Sequence, residues 1–356
     1  MRRMLLVLLG AAAFMAVGLA QGSSSGPYKV IKTDKVGGPG GWDYVYADVN
    51  GRRLYIDRGA GEAPDATPAR ITVYNLDTLA HIGDIPNTGG HGVAVDPKTH
   101  HGFSSSNPVT MFDTKTLKVI KTITTKGNPD GIMFDPYNER IHVFSHRAPN
   151  DTVIDAKDGS IVGTIDLGGA PEQAQSDDAG HLYVDLEDKA AVAVVDASTL
   201  KVTAKYDVSS KGQGLSGLGL DNKHHLLFVT CHEGAGEGQP PVMVVLNTEG
   251  KILDALPIGK GTDGGGFNAN TMEAFSSGGQ AGTLSVIKEN NPTSFSVEED
   301  LPTAEGARTM TIDTKTNHVF VITAKIKPAS TTAAAPGQRR RRELVPGSFE
   351  ILEIGR

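Results

Sequence analysis

Short runs of alternating or apolar residues recur along the chain from residue 27 onward, and clusters of Asp, Asn, Gly, Pro and Thr separate them. Residues 182–186 read LYVDL and residues 318–323 read HVFVIT, for example. A period of two residues between turn clusters predicts β-strands. No helical period appears after the first twenty residues, so the pattern predicts an all-β fold.

The runs are organised into repeated units of four strands. The turns DPKT, DPYN, DNKH and DTKT each follow the first strand of a unit, where a leading Asp can accept hydrogen bonds from backbone two residues on. Aligning the units on the residue that ends their first strand gives Asp48, Asp96, Asp135, Asp177, Asp221, Asn268 and Asp313. The steps are 48, 39, 42, 44, 47 and 45 residues. Seven such units predict one seven-bladed β-propeller over residues 27–356.

The two ends of the chain complete one blade. The segment YKVIKTDKV (28–36) closely matches LKVIKTITT (117–125), the fourth strand of an earlier unit. The seventh unit lacks a fourth strand of its own. We therefore expect the N-terminal strand to pair into the last blade, which removes an open sheet edge.

Three second strands also carry a family likeness. LYVDLED (182–188), LFVTCHE (227–233) and HVFVITA (318–324) resemble the YVTN repeat, and the mature chain resembles the exported, YncE-like YVTN seven-bladed propellers. The resemblance implies the architecture. It implies no particular activity, because a fold does not determine a function.

The N-terminus is typical of an exported protein. Residues 1–20 combine Arg2 and Arg3 with an apolar run that ends in small residues, which predicts a signal peptide followed by a linker over 21–26. A retained anchor is the alternative. Cleavage changes the formal net charge from −7 to −9. Because Cys231 is the only cysteine, no internal disulfide can form. We expect a periplasmic or secreted monomer with no membrane span after cleavage.

Candidate chemistry concentrates where the first strands begin, because those strands line the channel of a propeller. The residue five positions before each turn residue should lie at the channel mouth, and these residues are Asp43, His91, Asp130, Glu172, Ser216, Asp263 and Arg308. Six of the seven are ionisable, with a net charge of −3 if His91 is neutral. A wet channel mouth without a ligand is the alternative explanation.

His91, Asp130 and Glu172 lie on consecutive blades. One imidazole beside two carboxylates can bind a divalent cation or supply a general base with its orienting partner, so these three residues are predicted as both metal ligands and catalytic residues. Further residues on the same face are predicted to contact a ligand: Trp42, Asp43, Asp263, Arg308, His146, Glu187 and His232. Arg58 lies in one of the same loops. A Trp42 ring packed between blades is the alternative for that residue.

Three functions fit these features. The first is an exported propeller that binds a small ligand or a divalent metal at the mouth. The second is a metal-assisted hydrolase or lyase that acts on a lactone, a sugar or a similar small molecule. The third is a periplasmic protein-interaction or cell-wall scaffold.

The scaffold would use a flexible loop over residues 324–347. Its four consecutive arginines (Arg339, Arg340, Arg341 and Arg342) suit an anionic partner, although a solvated loop is the simpler explanation. General nucleic-acid binding is not expected from a chain of this net charge.

Overall fold

The computed structural model describes residues 26–61, 66–86, 88–148, 150–327 and 344–356. The predicted signal peptide, most of the linker and the four arginines lie outside these residues, so those features stay predictions. The described chain contains 28 β-strands and one short 3-10 helix. That helix (Glu187–Lys189) is the only departure from the predicted all-β pattern within the described ranges.

Each blade is a sheet of four antiparallel strands. The chain begins with β1 (Lys29–Lys35), which belongs to the last blade. Blade 1 contains β2 (Trp42–Asp48), β3 (Arg53–Arg58), β4 (Arg70–Asn75) and β5 (His81–Pro86). Blade 2 contains β6 (Val93–Asp96), β7 (His101–Ser104), β8 (Val109–Asp113) and β9 (Val119–Ile123). Blade 3 contains β10 (Pro129–Asp135), β11 (Arg140–Ser145), β12 (Asp151–Asp155) and β13 (Ile161–Ile165).

The remaining blades follow the same order. Blade 4 contains β14 (Pro171–Ser176), β15 (His181–Leu186), β16 (Ala191–Asp196) and β17 (Lys201–Asp207). Blade 5 contains β18 (Gly212–Asp221), β19 (Leu226–Gly234), β20 (Val242–Asn247) and β21 (Ile252–Pro257). Blade 6 contains β22 (Thr262–Asn268), β23 (Glu273–Gly278), β24 (Thr283–Asn291) and β25 (Ser294–Pro302). Blade 7 contains β26 (Met310–Asp313), β27 (His318–Thr323) and β28 (Glu350–Gly355).

The N-terminal strand completes blade 7, in the sheet order β1–β28–β27–β26. Strand β1 pairs antiparallel with β28, from Lys29 opposite Gly355 to Lys35 opposite Glu350. Tyr28 precedes this strand and is buried. Its backbone N–H donates to Glu299 of blade 6 at 3.0 Å. The all-β, seven-bladed fold and its closure by the N-terminal strand are therefore confirmed.

The turn residues act as their sequence positions predict. In all seven blades the side-chain oxygen of the aligned Asp or Asn accepts a backbone N–H two or three residues later, at 2.8–3.1 Å. These bonds satisfy backbone donors that the turn leaves without a strand partner. The repeat of Asp and Asn in the sequence is thus a repeat of one turn geometry.

The core lies between neighbouring blades, where the strands of one sheet pack on those of the next. Phe228 of blade 5 stacks on Phe267 of blade 6 with ring centroids 4.9 Å apart, for example. Seven such clusters of buried apolar residues surround the channel. Because the ring of blades closes, both faces of every sheet are covered.

The first strands approach one another closely around the channel, and glycine permits this. A Cβ atom on Gly217 would lie 2.5 Å from the backbone nitrogen of Gly265 in the next blade. A Cβ atom on Gly131 would lie 2.3 Å from the carbonyl oxygen of Glu172. The glycine-rich segments 214–219 and 261–266 therefore serve blade packing, and Gly131 helps to set the position of Glu172.

Candidate functional site

The predicted mouth residues lie at irregular points of the first strands. The pairing register between strands one and two shifts at Trp42/Val45, Pro129/Ile132, Pro171/Ala174, Leu215/Gly217 and Thr262/Gly265. Each shift spans one of the predicted residues. His91 and Arg308 lie just before their strands begin. A bulge redirects a side chain away from the regular pleat, which explains how these polar residues reach the channel mouth.

Seven charged side chains form a continuous arc of contacts over six blades. From blade 6 through blade 7 to blade 4, the arc consists of Asp263, Arg308, Asp43, His91, Asp130, His146 and Glu172. Carboxylates alternate with cationic or titratable nitrogen groups along it. We call this set the mouth arc.

One half of the mouth arc centres on His91. Its Nδ1 atom lies 2.5 Å from Asp43 Oδ2 and 3.3 Å from Asp130 Oδ1. Ligand atoms of these three residues all lie within 4.8 Å of one another. The structure thus brings a carboxylate of blade 1 and one of blade 3 to the same imidazole of blade 2.

The other half centres on His146, which follows β11 in blade 3. Its Nε2 atom lies 2.8 Å from Glu172 Oε1 and 3.3 Å from Asp130 Oδ2. These three residues also offer ligand atoms within 4.8 Å of one another. The structure places His146 between Asp130 and Glu172, so the predicted set of His91, Asp130 and Glu172 is divided between two groups of three potential ligands that share Asp130. Metal binding by these residues stays a prediction.

Arg308 connects the remaining carboxylates. Its guanidinium lies 3.4 Å from Asp43 Oδ1 and forms an ion pair with Asp263. It also donates to the Trp42 carbonyl at 3.3 Å. Asp263 therefore belongs to the mouth arc but lies outside both groups of three ligands.

Protonation of the two imidazoles follows from these contacts. The hydrogen bond to Asp43 raises the pKa of His91 to about 9, and the hydrogen bond to Glu172 raises the pKa of His146 to about 9. Burial raises the pKa of Asp130 to about 6. At pH 7 both imidazoles are therefore protonated and Asp130 is ionised. The mouth arc then carries four negative and three positive charges, rather than the excess of three negative charges that a neutral His91 implies.

Two buried carboxyl groups that the sequence analysis missed, Asp57 and Asp185, lie close to residues of the mouth arc. Burial raises the pKa of Asp57 to about 8, and His91 and Asp43 lie close enough to influence it. Asp185 is fully buried, and its Oδ1 accepts the backbone N–H of Gln173 at 2.6 Å. Both occupy the same position of a second strand, in LYID and LYVD. A carboxylate in an otherwise apolar strand was the available signal.

Tyr44 is a further residue that the sequence analysis missed. Its phenol in blade 1 donates to Glu172 Oε2 in blade 4 at 2.8 Å. Burial raises the pKa of Tyr44 well above its usual value, so the phenol stays protonated and remains a donor. Its position directly after Asp43 gave no indication that it reaches a blade three steps away.

Several predicted residues lie outside the arc. Trp42 packs against Phe349 of blade 7 with ring centroids 5.4 Å apart, which favours its structural role over ligand stacking. Ser216 is buried and contacts Thr230 Oγ1 at 3.3 Å, so blade 5 contributes no side chain at this position. Arg58 is also buried.

Arg58, Glu187 and His232 make no hydrogen bond or ion pair with the mouth arc among the residues that the structure describes. The Arg58 guanidinium donates to the carbonyls of residues 37–40 and lies 3.6 Å from the centroid of the Phe349 ring. Glu187 lies near enough to His146 to contribute to its raised pKa, without a direct hydrogen bond. His232 on β19 lies beside Gly214, and its side chain makes no hydrogen bond or ion pair within the described part of the chain.

A cavity of about 490 Å³ occupies the channel next to the mouth arc. Tyr44 and Glu172 both line it, as do Gln173 and Gln175. Its other walls mix apolar side chains, such as Ile132, Phe134 and Met310, with polar ones, such as Ser176, Asp178 and Thr311. The volume falls within the range of small-molecule sites.

Comparison with known proteins supports the fold. No protein-family model matches the chain, and no curated protein matches it. The WD40 repeats of RRP9 are similar over 94% of this chain and 100% of that chain, with a TM-score of 0.70 and 10% identity.

Two further solved structures are also similar. U3-55K covers 91% of this chain and 98% of its own, at a TM-score of 0.68 and 10% identity. Hydrazine synthase of Kuenenia stuttgartiensis is similar over 80% of this chain and 92% of its own, with a TM-score of 0.65 and 14% identity. At these identities the likeness extends to the β-propeller fold and no further.

Proposed function

We propose that the protein binds a divalent cation at the mouth arc, together with a small ligand in the channel cavity. The observation that carries this proposal is the position of Asp130 between His91 and His146, with 3.3 Å to a nitrogen of each. Two imidazoles and three carboxylates, including Asp43 and Glu172, thereby converge from four consecutive blades. Such a mixed nitrogen and oxygen set suits Zn²⁺, Mn²⁺ or Ni²⁺ rather than Ca²⁺.

The surroundings also suit an exchangeable ligand. His91 and His146 have side chains 38% and 37% exposed, so the site opens to solvent, whereas Asp130 and Glu172 are only 18% and 14% exposed. A ligand with a carboxylate or carbonyl head could contact the cation while its apolar body enters the channel. The substrate class that fits is thus a small amphiphilic molecule.

An enzymatic role at the same place remains the first alternative. A metal-assisted hydrolase or lyase would need a water molecule activated at the mouth and a general base beside it. Asp130, whose pKa of about 6 lies near neutral pH, suits that base better than an unperturbed carboxylate would. Screening lactones and sugar esters against the wild type and an Asp130→Asn variant tests this role.

A scaffold role is the second alternative, and the outer strands of blades 2 and 3 favour it. Val119 and Ile120 on β9 are 43% and 47% exposed, and Ile161 and Val162 on β13 are 47% and 41% exposed. Exposed apolar side chains on the outer strands of neighbouring blades offer a surface for a protein partner. The predicted anionic partner of the four arginines belongs to this alternative too. Loss of a captured partner on Ile120→Lys would support it.

Export and membership of the YVTN group are part of the proposal. The signal-like residues 1–20 support export. The three YVTN-like second strands and the seven-bladed architecture support the group. Within the described ranges, no helix is long and apolar enough to cross a bilayer. Sequencing the N-terminus of the purified protein tests the predicted cut after residue 20.

The cation is tested by titrating the protein with ZnCl₂ and MnCl₂ after removal of bound metal. Calorimetry gives the stoichiometry and the affinity. We expect one ion at the mouth arc in the wild type and at least a hundredfold weaker binding in Asp130→Asn, because Asp130 belongs to both ligand groups. His146→Gln should weaken binding less, since His91 remains.

Asp263→Asn is the matched control. Asp263 lies in the same arc, but its partner is Arg308 and it belongs to neither ligand group. It should bind the ion with nearly wild-type affinity. Equal affinities in the wild type and Asp130→Asn would contradict the proposal, as would the absence of binding to the wild type.

A further inference from the structure

A second cluster of metal-ligating side chains lies on the face opposite the channel mouth. Asp221 ends β18, the first strand of blade 5, and His224 lies in the turn that follows. Glu289 lies near the end of β24, the third strand of blade 6. First and third strands run in the same direction and start at the mouth side, so their ends lie at the other face. The cluster therefore joins blades 5 and 6 at a distance from the mouth arc.

The three side chains are already arranged around one point. His224 Nδ1 lies 2.8 Å from Asp221 Oδ2 and 2.6 Å from Glu289 Oε1. All three offer ligand atoms within 4.8 Å of one another. Asp221 and Glu289 are only 1% and 2% exposed, whereas the His224 side chain is 21% exposed. The imidazole is thus the member of the cluster that solvent reaches.

The two buried carboxylates have few donors. Asp221 Oδ1 accepts the backbone N–H of Lys223 at 2.9 Å, whereas Asp221 Oδ2 and Glu289 Oε1 both face the same His224 Nδ1. Glu289 Oε2 is buried and has no hydrogen-bond partner among the described residues. Neither carboxylate pairs with a lysine or an arginine within the same ranges. Two like charges that share a buried site without a cation are unfavourable. Something beyond the single His224 imidazole is needed to satisfy both groups.

The equivalent turn of blade 7 shows the contrast. Asp313 is fully buried, like Asp221, but Arg52 from the neighbouring blade donates to both of its oxygens at 2.9 and 2.7 Å. In blade 5 the neighbouring blade supplies Glu289 instead of a cation. The same buried turn residue therefore meets a positive partner in one blade and a second carboxylate in the other.

We propose that Asp221, His224 and Glu289 bind a divalent transition-metal ion that connects blade 5 to blade 6. One imidazole and two carboxylates form a ligand set of the kind that Zn²⁺ and Mn²⁺ accept, and the exposed side of His224 leaves room for water ligands. The ion supplies the positive charge that both carboxylates lack. Its role is structural, because it crosslinks two sheets that otherwise meet through side-chain packing. The proposal does not depend on metal binding at the mouth arc.

The test uses the full mature chain with Asp130→Asn as the parent, so that the mouth arc does not contribute. The parent is titrated with ZnCl₂ by calorimetry, and its thermal midpoint is measured with and without the metal. We expect one Zn²⁺ per chain and a higher thermal midpoint when it is bound. Adding Glu289→Gln should weaken this binding at least a hundredfold and abolish the metal-dependent shift.

Two further variants make the result decisive. His224→Gln changes the most exposed member and removes its nitrogen ligand, so it should also lose the ion while the fold is retained. Glu299→Gln is the matched control in the same blade, because its amide oxygen can still accept the Tyr28 N–H. It should bind Zn²⁺ like the parent. The proposal is overturned if the parent binds no Zn²⁺, or if folded Glu289→Gln and His224→Gln bind it as tightly as the parent.

Discussion

The phenol of Tyr44 in blade 1 donates a hydrogen bond to Glu172 in blade 4, so the two residues are joined across the central channel at 2.8 Å. His146 approaches the other oxygen of the same carboxylate at 2.8 Å. Glu172 is therefore oriented from two sides, and one of them lies three blades away. The hydrogen bond from Tyr44 thus links two blades that are not neighbours in the ring.

Tyr44→Phe tests the orienting role of this phenol. The variant loses one hydrogen bond, so the free energy of unfolding should fall by about 1 kcal/mol. The affinity for a divalent cation should fall about tenfold, because groups that orient metal ligands contribute to binding. Urea unfolding and calorimetry measure both quantities. Tyr46→Phe is the control, since Tyr46 lies on the same strand and also lines the cavity. Equal losses of cation affinity in the two variants would refute a specific role for Tyr44.

The stability of the metal-free protein should depend on pH through His91 and His146. Both have a pKa of about 9 in the folded chain, against an ordinary value of 6.5. Below pH 6.5 the imidazoles are protonated in both states, and their ion pairs contribute fully. As the pH rises from 6.5 through 9 this contribution is lost, so the free energy of unfolding should decrease. Urea midpoints at pH 6 and pH 9.5, measured with chelator present, give the change.

Variants separate the contribution of His91 and His146 to this pH dependence from that of other titratable groups. The double variant His91→Gln/His146→Gln should show a flatter dependence over the same range. Some decrease should remain, because the pKa of Asp57 is raised to about 8 and acts with the same sign. His232→Gln should leave the dependence unchanged, since His232 has no ion-pair partner within the described residues. An unchanged dependence in the double variant would exclude these imidazoles as its source.

Metal binding should respond to pH in the opposite direction. A protonated imidazole cannot bind a metal, so the cation must displace a proton from His91 and from His146. The apparent affinity for Zn²⁺ should therefore rise between pH 6 and pH 9, by up to about tenfold per pH unit for each proton released. Calorimetry in two buffers of different ionisation enthalpy counts these protons. Binding without proton release would show that the imidazoles are not ligands.

The ion pair between Arg52 and Asp313 should be a major contributor to closure between blades 7 and 1. Arg52 donates to Asp313 at 2.7 Å and also pairs with Asp77 at 2.6 Å. Because Asp313 is buried, Arg52→Ala leaves a carboxylate without a cation, at a cost of about 3 kcal/mol. Adding Asp313→Asn should recover part of this loss. Arg53→Ala, beside it in sequence, should have a much smaller effect in the same urea experiment.

Removal of the closing strand should open the propeller. A chain that begins at residue 36 lacks β1 and the buried Tyr28, and it exposes the edge of β28. We expect self-association through that edge and a loss of at least about 3 kcal/mol, comparable to deleting a buried aromatic side chain. Light scattering after size exclusion measures the first effect. A chain that begins at residue 26 should stay monomeric, and equal behaviour of the two chains would contradict the closure argument.

The sequence by itself determined the architecture. Strand alternation and the Asp or Asn that ends each first strand, such as Asp48 and Asp96, are local features that recur in all seven units. The similarity between 28–36 and 117–125 identified the N-terminal segment as the missing strand of the last unit. Each unit has the same turn geometry, so an ambiguous strand assignment in one unit can be resolved by alignment with the other units. The positions of Asp43, His91 and Asp130 at the mouth followed from that register.

Only the tertiary structure decided which of these groups meet. Ser216 has the same position in its strand as Asp130, yet its side chain is buried within the blade, where its hydroxyl contacts Thr230 Oγ1. His146 lies between Asp130 and Glu172, and Tyr44 reaches Glu172 across the channel, because the curvature of seven sheets brings distant positions together. The local pattern places these residues at the mouth but does not determine which side chains meet between blades. Protonation, which depends on burial and on those contacts, likewise appears only in the folded chain.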